Sequence, residues 1–337
     1  MNTRVSREIR LKNRPVGLPT ENDFEIAEVT IPEVRTGEIL VQNIYMSVDP
    51  YMRGRMYDRK SYAPPFQLNQ PLQGHCVGRV VESKNDRFKD GDFVLGMLGW
   101  REYFISDGSG ITKIDPKVAP VQAYLGTLGM PGFTAYVGLL DIGRPKDGET
   151  VFVSAASGAV GSIVCQIAKL KGCRVVGSAG TDKKVSWLQK EAGVDSAFNY
   201  KKVDNIIAEV GKHCSKGIDV YFENVGGVHL QAALEYMKTF GRIIMCGAIS
   251  RYNDTKPVPG PTNLFYVTSK QLTLQGFIVG EHLAKLPQFY ADMAKWIAEG
   301  KIKWKETIVE GLENAPGAFI GLFKGENFGK MIVKVGN

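Results

Sequence analysis

At 337 residues, with 44% apolar and 23% charged residues, the chain has room for two domains and a sizeable core, and its composition excludes general disorder. The net charge of +7 is mild and comes from scattered lysines and arginines with no long basic run, so no nucleic-acid partner is expected. Five cysteines (Cys76, Cys165, Cys173, Cys214, Cys246) form no CxxC pair, which argues against a disulfide framework or a clustered zinc site and fits a reducing compartment. The N-terminal stretch MNTRVSREIRLKNRP has no apolar h-region, and no run is long enough to span a membrane, so a cytoplasmic protein is expected.

From the start to about residue 125 the chain reads as short β-like runs punctuated by Gly and Pro: GEILVQNIYMSVD (37–49), GHCVGRVVES (74–83) and DGDFVLGM (90–97), the last after a tight DG turn. That texture predicts a compact β-barrel or sandwich. It changes near Leu125, where a small, apolar stretch (126–143) contains a helix-like segment over 133–140. From Thr150 strands and helices alternate: strand 150–155, helix 160–171, strand 173–179, helix 182–191, strand 196–200, helix 203–213, strand-like 217–227, helix 229–238 and strand 241–250. A strand over 272–279 and a helix over 284–299 extend the series, and the tail ends in the β-like KMIVKV (330–335), which fits a return to the first domain. The expected fold is α/β, a doubly wound parallel Rossmann sheet plus a β domain.

The stretch around which the alternation is organised is TVFVSAASGAVG (150–161). A β-branched apolar run meets small residues and two glycines, Gly158 and Gly161, ahead of an apolar helix. Strand, Gly-rich turn and helix N-terminus together make an anion site, because the helix's first N–H groups lack partners and its dipole favours a pyrophosphate. The turn reads AxxGxxG, with Ala155 in place of the first glycine of the dinucleotide fingerprint, and CRVVGSAG (173–180) completes the βαβ unit at the expected spacing of about 30 residues. An NAD site places an acid at the end of that second strand. Here Ser178, Ala179 and Gly180 stand there, Asp182 comes too late, and Lys183 and Lys184 follow. Without the carboxylate a 2′-phosphate meets no repulsion and a lysine can pair with it, so NADP(H) is expected.

Five motifs in order, SVDPYMRGRM (47–56), AASGAVG (155–161), ENVGG (223–227), CGAISRYN (246–253) and GENFGKMIVKV (325–335), resemble the zinc-independent medium-chain dehydrogenase/reductases, in the branch of leukotriene B4 dehydrogenases, prostaglandin reductases, alkenal double-bond reductases and curcumin reductase. The resemblance implies a GroES-like β-barrel catalytic domain (1–129 and 301–337), a Rossmann NADP(H)-binding domain (130–300) and a homodimer, for which the strand over 272–279 is an edge that can pair with a second copy. Zinc-dependent relatives bind metal through an early Cys and a GHE segment; here SVDPYMRG stands in the first place and GHCVG, with Cys76 for the Glu, in the second. His75 and Cys76 alone are too few for a zinc site, so no metal is expected.

Without a Lewis acid, carbonyl–alcohol interconversion loses its usual alkoxide stabilisation, whereas hydride addition to the β-carbon of a conjugated C=C leaves an enolate that a hydroxyl can stabilise. The resemblance gives that role to Tyr252 and places Tyr51 beside the substrate. For the cofactor it points to Gly158, Ala159, Val160 and Gly161 at the pyrophosphate, to Lys184 and Tyr200 at the 2′-phosphate, and to Asn224 near the ribose. It assigns Cys246, Gly247, Ala248, Ile249, Ser250, Arg251 and Tyr252 to the nicotinamide half, completed by Phe277, Ile278, Val279 and Asn327. Arg53 and Arg55 read as surface or interdomain salt-bridge residues, and the segment 57–71 as a rim, a lid or plain surface. The expected activity is NADPH-dependent reduction of α,β-unsaturated aldehydes and ketones. A quinone reductase of the same superfamily and a non-catalytic NADPH-binding redox sensor are the alternatives, the first disfavoured by the DPYMR and SRYN motifs.

Overall fold

The computed structural model describes residues 4–336. The chain divides into two compact units, one made of residues up to Leu125 together with those from Glu306 onward, the other of Gly126–Lys305. No helix among the described residues is long and apolar enough to cross a membrane.

In the second unit six strands form one sheet in the order Ser196–Asn199, Arg174–Ala179, Thr150–Val153, Ile218–Glu223, Met237–Met245 and Thr273–Gly276, each neighbouring pair parallel. This is the doubly wound Rossmann order, with its switch point between Thr150–Val153 and Ile218–Glu223. The central strands are the near-continuous apolar runs TVFV and IDVYFE, as strands covered on both faces must be. Inside, Phe152 stacks on Tyr221 at 5.1 Å and on Phe198 at 6.4 Å. The helices Gly161–Leu170, Asp182–Lys190, Ile206–His213, Val228–Tyr236 and Leu286–Ala298 alternate with or follow the strands. Their starts are chemically marked: Thr181 Oγ1 accepts from Lys184 N at 3.3 Å, Asn205 Oδ1 accepts from Ala208 N at 3.1 Å, and Pro287 sits in the first turn of Leu286–Ala298.

Two boundaries differ from the expected ones for identifiable reasons. The strand expected over 241–250 is Met237–Met245. It starts early because Met237 pairs with Ile218, and it ends early because the N–H groups of Cys246 and Gly247 both turn back onto the Glu223 carbonyl. The helix expected over 133–140 begins at Met130, with Pro131 in the first turn, and passes at Gly138 into a wider π-helical stretch, Gly138–Gly143.

In the first unit seven strands form a mainly antiparallel sheet. Glu306–Glu310 pairs in parallel with Lys330–Lys334; then come Ile39–Ser47, Cys76–Ser83, Phe93–Gly96 and Thr112–Lys113, while Tyr103–Ser106 pairs with Ile39–Ser47. A separate antiparallel pair, Arg4–Leu11 with Phe24–Ile31, was not anticipated, because its charge-rich sequence hides an inward row in which Ile9 and Leu11 are fully buried. The core is built on Trp100, stacked on Phe24 at 6.1 Å and edge-on to Phe319 at 6.3 Å, the latter on the helix Ala315–Lys324.

Candidate active site

In the second unit, every residue the sequence assigned to a cofactor follows the C-terminal end of one of the six strands, the edge where open α/β sheets bind ligands. The glycine turn leaves Thr150–Val153 at the switch point. Ala155 takes a left-handed φ of 48°, the conformation that explains why glycine is the usual residue there. Gly158 N donates to Ala155 O at 2.9 Å and Ser162 N to Gly158 O at 3.0 Å, so the chain is winding into a helix before Gly161. A Cβ on Gly161 would stand 2.4 Å from Ala155 O and 2.9 Å from Ala156 Cα, so only glycine lets the helix start this close to the strand. The first donors of a helix have no intrahelical acceptor, and here they belong to Ala159, Val160 and Gly161.

Lys184 lies in the first turn of the helix after Arg174–Ala179 and is 8% exposed. Burial pushes its ammonium pKa down, and the charge of Lys201 adds to the shift. Tyr200, just past Ser196–Asn199, sits edge-on to His229 at 5.2 Å, and burial raises its phenol pKa, so it stays a donor. A Cβ at Gly180 would stand 3.2 Å from the Tyr200 hydroxyl and 3.4 Å from Lys201 Cε. Gly180, Tyr200, Lys184 and Lys201 thus gather at one place. Asp182, the nearest acid in sequence, is engaged elsewhere: Asn199 Nδ2 donates to it at 2.8 Å and Lys202 forms its ion pair, which together lower its pKa. The donor set fits a dinucleotide with an additional phosphate on its ribose.

Asn224 follows Ile218–Glu223 and is tied to the opposite side of the switch point, its N to Ser154 Oγ at 2.9 Å and its Nδ2 to Ser154 O at 2.8 Å. Glu223 before it is fully buried; its Oε1 accepts from Val225 N at 2.6 Å, Gly226 N at 2.8 Å and Ser154 Oγ at 3.0 Å, and burial raises its pKa. Ile249 N and Ser250 N reach back to the carbonyls of Asn224 and Val225, so the loops after two neighbouring strands are one hydrogen-bonded body. That body presents Tyr252, whose hydroxyl accepts from Ala248 N at 3.3 Å. Arg251 is used within the loop, pairing with Asp254 at 3.4 Å and donating to Pro259 O at 2.9 Å. The Cys246 thiol is pushed up to about 12 by burial and then by Glu223, so it is neither nucleophile nor ready metal ligand. Phe277 follows the last strand and packs edge-on to His282 at 6.2 Å, ahead of the exposed Ile278 and the half-buried Val279.

In the first unit, Tyr51 precedes the short helix Met52–Arg55, and its buried hydroxyl has no hydrogen-bond partner among the described residues. Burial and the charge of Asp49 raise its pKa, so the phenol is neutral. Arg53 and Arg55 are not the surface or interdomain pairs expected. Both are buried; Arg53 donates to the carbonyls of Pro15 (3.0 Å) and Gly17 (2.9 Å), and Arg55 to Pro64 O (2.9 Å) and Gln73 Oε1 (3.0 Å), with Arg55 over the Phe66 ring at 4.1 Å. The helix thus clamps two loops, one of them the Pro-rich segment 57–71. The Cys76 thiol is pushed up to about 12 by burial, and burial lowers the His75 pKa against the opposing charge of Asp49. Among the described residues no three His, Cys, Asp or Glu side chains gather in a way that could hold a metal. Asn327 lies in a turn of this unit, its Nδ2 donating to Gly329 O at 2.8 Å.

Sequence reasoning passed over Ser154, Glu223 and Lys201. Lys201 had a signal, the lysine pair after NY at a strand's C-terminal edge; the buried Ser154–Glu223 bond had none.

A 3-2-1-4-5-6 sheet with its glycine turn, together with a separate mainly antiparallel unit, is the arrangement of a medium-chain dehydrogenase/reductase. The chain belongs to the prostaglandin reductase, curcumin reductase and alkenal reductase family of that class. Family models described as the N-terminal domain of oxidoreductase and as zinc-binding dehydrogenase match residues 7–114 and 159–299. The chain is similar to prostaglandin reductase 1 of Bos taurus, at 49% identity over 96% of this chain and 97% of the relative. It is also similar to the NADP(+)-dependent 2-alkenal reductase of Nicotiana tabacum, at 45% identity over 98% and 97%. The crystal structure of CurA from Vibrio vulnificus in complex with NADPH superposes with a TM-score of 0.94, at 45% identity, covering 98% of this chain and 99% of that one.

Proposed function

We propose that the chain is an NADPH-dependent oxidoreductase acting on CH–CH donors, which reduces the C=C bond of apolar α,β-unsaturated aldehydes and ketones. The family and its NADP-dependent members support the cofactor and the reaction class. Bound NADPH supplies a hydride to the β-carbon. Ala159, Val160 and Gly161 would hold its pyrophosphate, Lys184, Tyr200 and Lys201 its 2′-phosphate, Asn224 its ribose, and the loops 246–252 and 277–279 its nicotinamide half. Asn327 shares that last role by resemblance alone.

The observation that carries the mechanism is Tyr252, whose hydroxyl is held by Ala248 N–H on a loop locked to the switch point. An accepted hydrogen bond polarises a hydroxyl as a donor. Tyr252 then donates to the substrate's carbonyl oxygen as negative charge gathers there, and Tyr51 binds substrate through its unmet hydroxyl. A proton delivered to the α-carbon from water or a side chain completes the saturated carbonyl product.

The test follows loss of reduced-nicotinamide absorbance with a medium-chain 2-alkenal, with NADPH and with NADH, beside the saturated aldehyde and a simple quinone. Turnover of the alkenal with NADPH, unchanged by a chelator and absent for the saturated aldehyde, is the expected result. Reaction with the quinone alone, or binding of NADPH without turnover of any substrate, overturns it.

The strand Thr273–Gly276 ends the sheet with Thr273 and Gln275 exposed, which supports a homodimer formed by strand pairing. Light scattering should return twice the chain mass, and a single-chain mass at micromolar concentration refutes it.

A further inference from the structure

The strand Ile218–Glu223 ends in a carboxyl group that turns back on its own chain. Glu223 Oε1 accepts from Val225 N at 2.6 Å and from Gly226 N at 2.8 Å, closing the turn much as an Asx turn does, with one methylene more of reach. The same oxygen accepts from the Ser154 hydroxyl at 3.0 Å, and Ser154 Oγ accepts in turn from Asn224 N at 2.9 Å. Glu223 thus fixes the chain just after Asn224, and Ser154, which follows Thr150–Val153 across the switch point, fixes the backbone of Asn224 itself.

A second bond orients the Asn224 side chain. Its Nδ2 donates to Ser154 O at 2.8 Å. A carbonyl oxygen only accepts, so the nitrogen must be the end of the amide that meets it, and Oδ1 is the end left for a ligand. Oδ1 takes no hydrogen bond from any of the described residues. Asn224 is half-buried at the C-terminal edge of the sheet beside the switch point, where a dinucleotide binds. An acceptor held there matches a ribose hydroxyl, which can donate, and does not match a phosphate, which only accepts.

We infer that Ser154 and Glu223 are positioning residues for the cofactor: they hold Asn224 so that its Oδ1 accepts from a ribose hydroxyl that NADPH and NADH share. This rests on the chain being a nicotinamide-dependent oxidoreductase with Asn224 at the ribose. Cohesion alone would give a different pattern. Removing a buried acceptor leaves its donors unmet whatever side chain stands at position 224, whereas positioning acts through the Asn224 amide and disappears with it.

The test is a double-mutant cycle on the full chain, read by binding without substrate. Ser154→Ala and Glu223→Ala are each made with Asn224 intact and in an Asn224→Ala background, and the dissociation constants for NADPH and for NADH are measured by quenching of protein fluorescence. Ser154→Ala, which removes a single hydroxyl, guards against a Glu223→Ala chain that does not fold. The expected result for Ser154→Ala is a rise of about fivefold or more, the worth of one neutral hydrogen bond, and of the same size for both cofactors. Glu223→Ala should raise both constants further, and in the Asn224→Ala background neither substitution should add more than about twofold. Glu223→Gln keeps an oxygen for the same donors and should recover most of what Glu223→Ala loses. Losses of equal size in the two backgrounds, or a loss confined to NADPH, overturn the inference, and a Glu223→Gln chain as weak as Glu223→Ala overturns it for Glu223. If Asn224→Ala binds both cofactors as tightly as the unmodified chain, Asn224 holds no ribose and the inference falls while the NADPH-dependent function stands. Failure of the unmodified chain to bind either cofactor refutes that function itself, and the inference with it.

Discussion

Tyr252→Phe should lower kcat for a 2-alkenal by about 10²–10³-fold, the usual cost of losing one donor to a developing oxyanion. The substitution keeps the ring, and the loop beneath it is held by bonds that do not involve the phenol: Ile249 N to Asn224 O at 3.1 Å, Ser250 N to Val225 O at 3.0 Å, and the Cys246 and Gly247 N–H groups on Glu223 O. The dissociation constant for NADPH, followed by quenching of protein fluorescence, should therefore stay within about twofold, since the backbone bonds that hold the loop remain. Loss confined to kcat identifies an interaction made in the transition state. A kcat within threefold of the unmodified chain removes Tyr252 from the mechanism.

The loop that carries Tyr252 also marks how far sequence reasoning reached. The order of strands and helices from Thr150 was legible because parallel strands buried on both faces are written as unbroken apolar runs, and because a glycine such as Gly161 stands where no Cβ fits. The place of Lys184, in the first turn of the helix after the second strand where an acid is missing, was legible from the spacing of the βαβ unit. Arg53 and Arg55 misled, since arginine is rarely buried and nothing local in DPYMRGR shows that carbonyls of residues 15, 17 and 64 will receive these side chains. Glu223 and the pair Lys330–Asp49 were missed for a related reason. The side chains they bond to are 69 and 281 residues away in the chain, and a single buried polar residue leaves no periodic trace. What the sequence hides is thus the long-range polar wiring, while the backbone turns at the C-terminal edge of the sheet are written locally.

Lys184→Ala should reverse much of the preference for NADPH over NADH. A hydrogen bond to a charged group contributes about 1.5–3 kcal/mol, so kcat/KM with NADPH should fall by about ten- to a hundredfold. With NADH, which has no 2′-phosphate, it should change by less than about twofold, because the removed ammonium faces only a ribose hydroxyl. The surroundings make the prediction specific. Lys184 is 8% exposed and its pKa is lowered by burial and by Lys201, so two like charges are held near each other at a cost that a phosphate dianion would offset. The backbone N–H of residue 184 still caps onto Thr181 Oγ1 in the alanine variant, and alanine favours the helix, so Asp182–Lys190 should stay folded. Lys201 should retain part of the affinity, and Lys184→Ala combined with Lys201→Ala should lose more than Lys184→Ala alone. The salt dependence of the KM for NADPH should also become shallower, since one cation fewer meets the phosphate. Equal losses with both cofactors would show that Lys184 supports the fold of the site and does not read the 2′-phosphate, and the missing acid after Ala179 would then be the whole basis of cofactor choice.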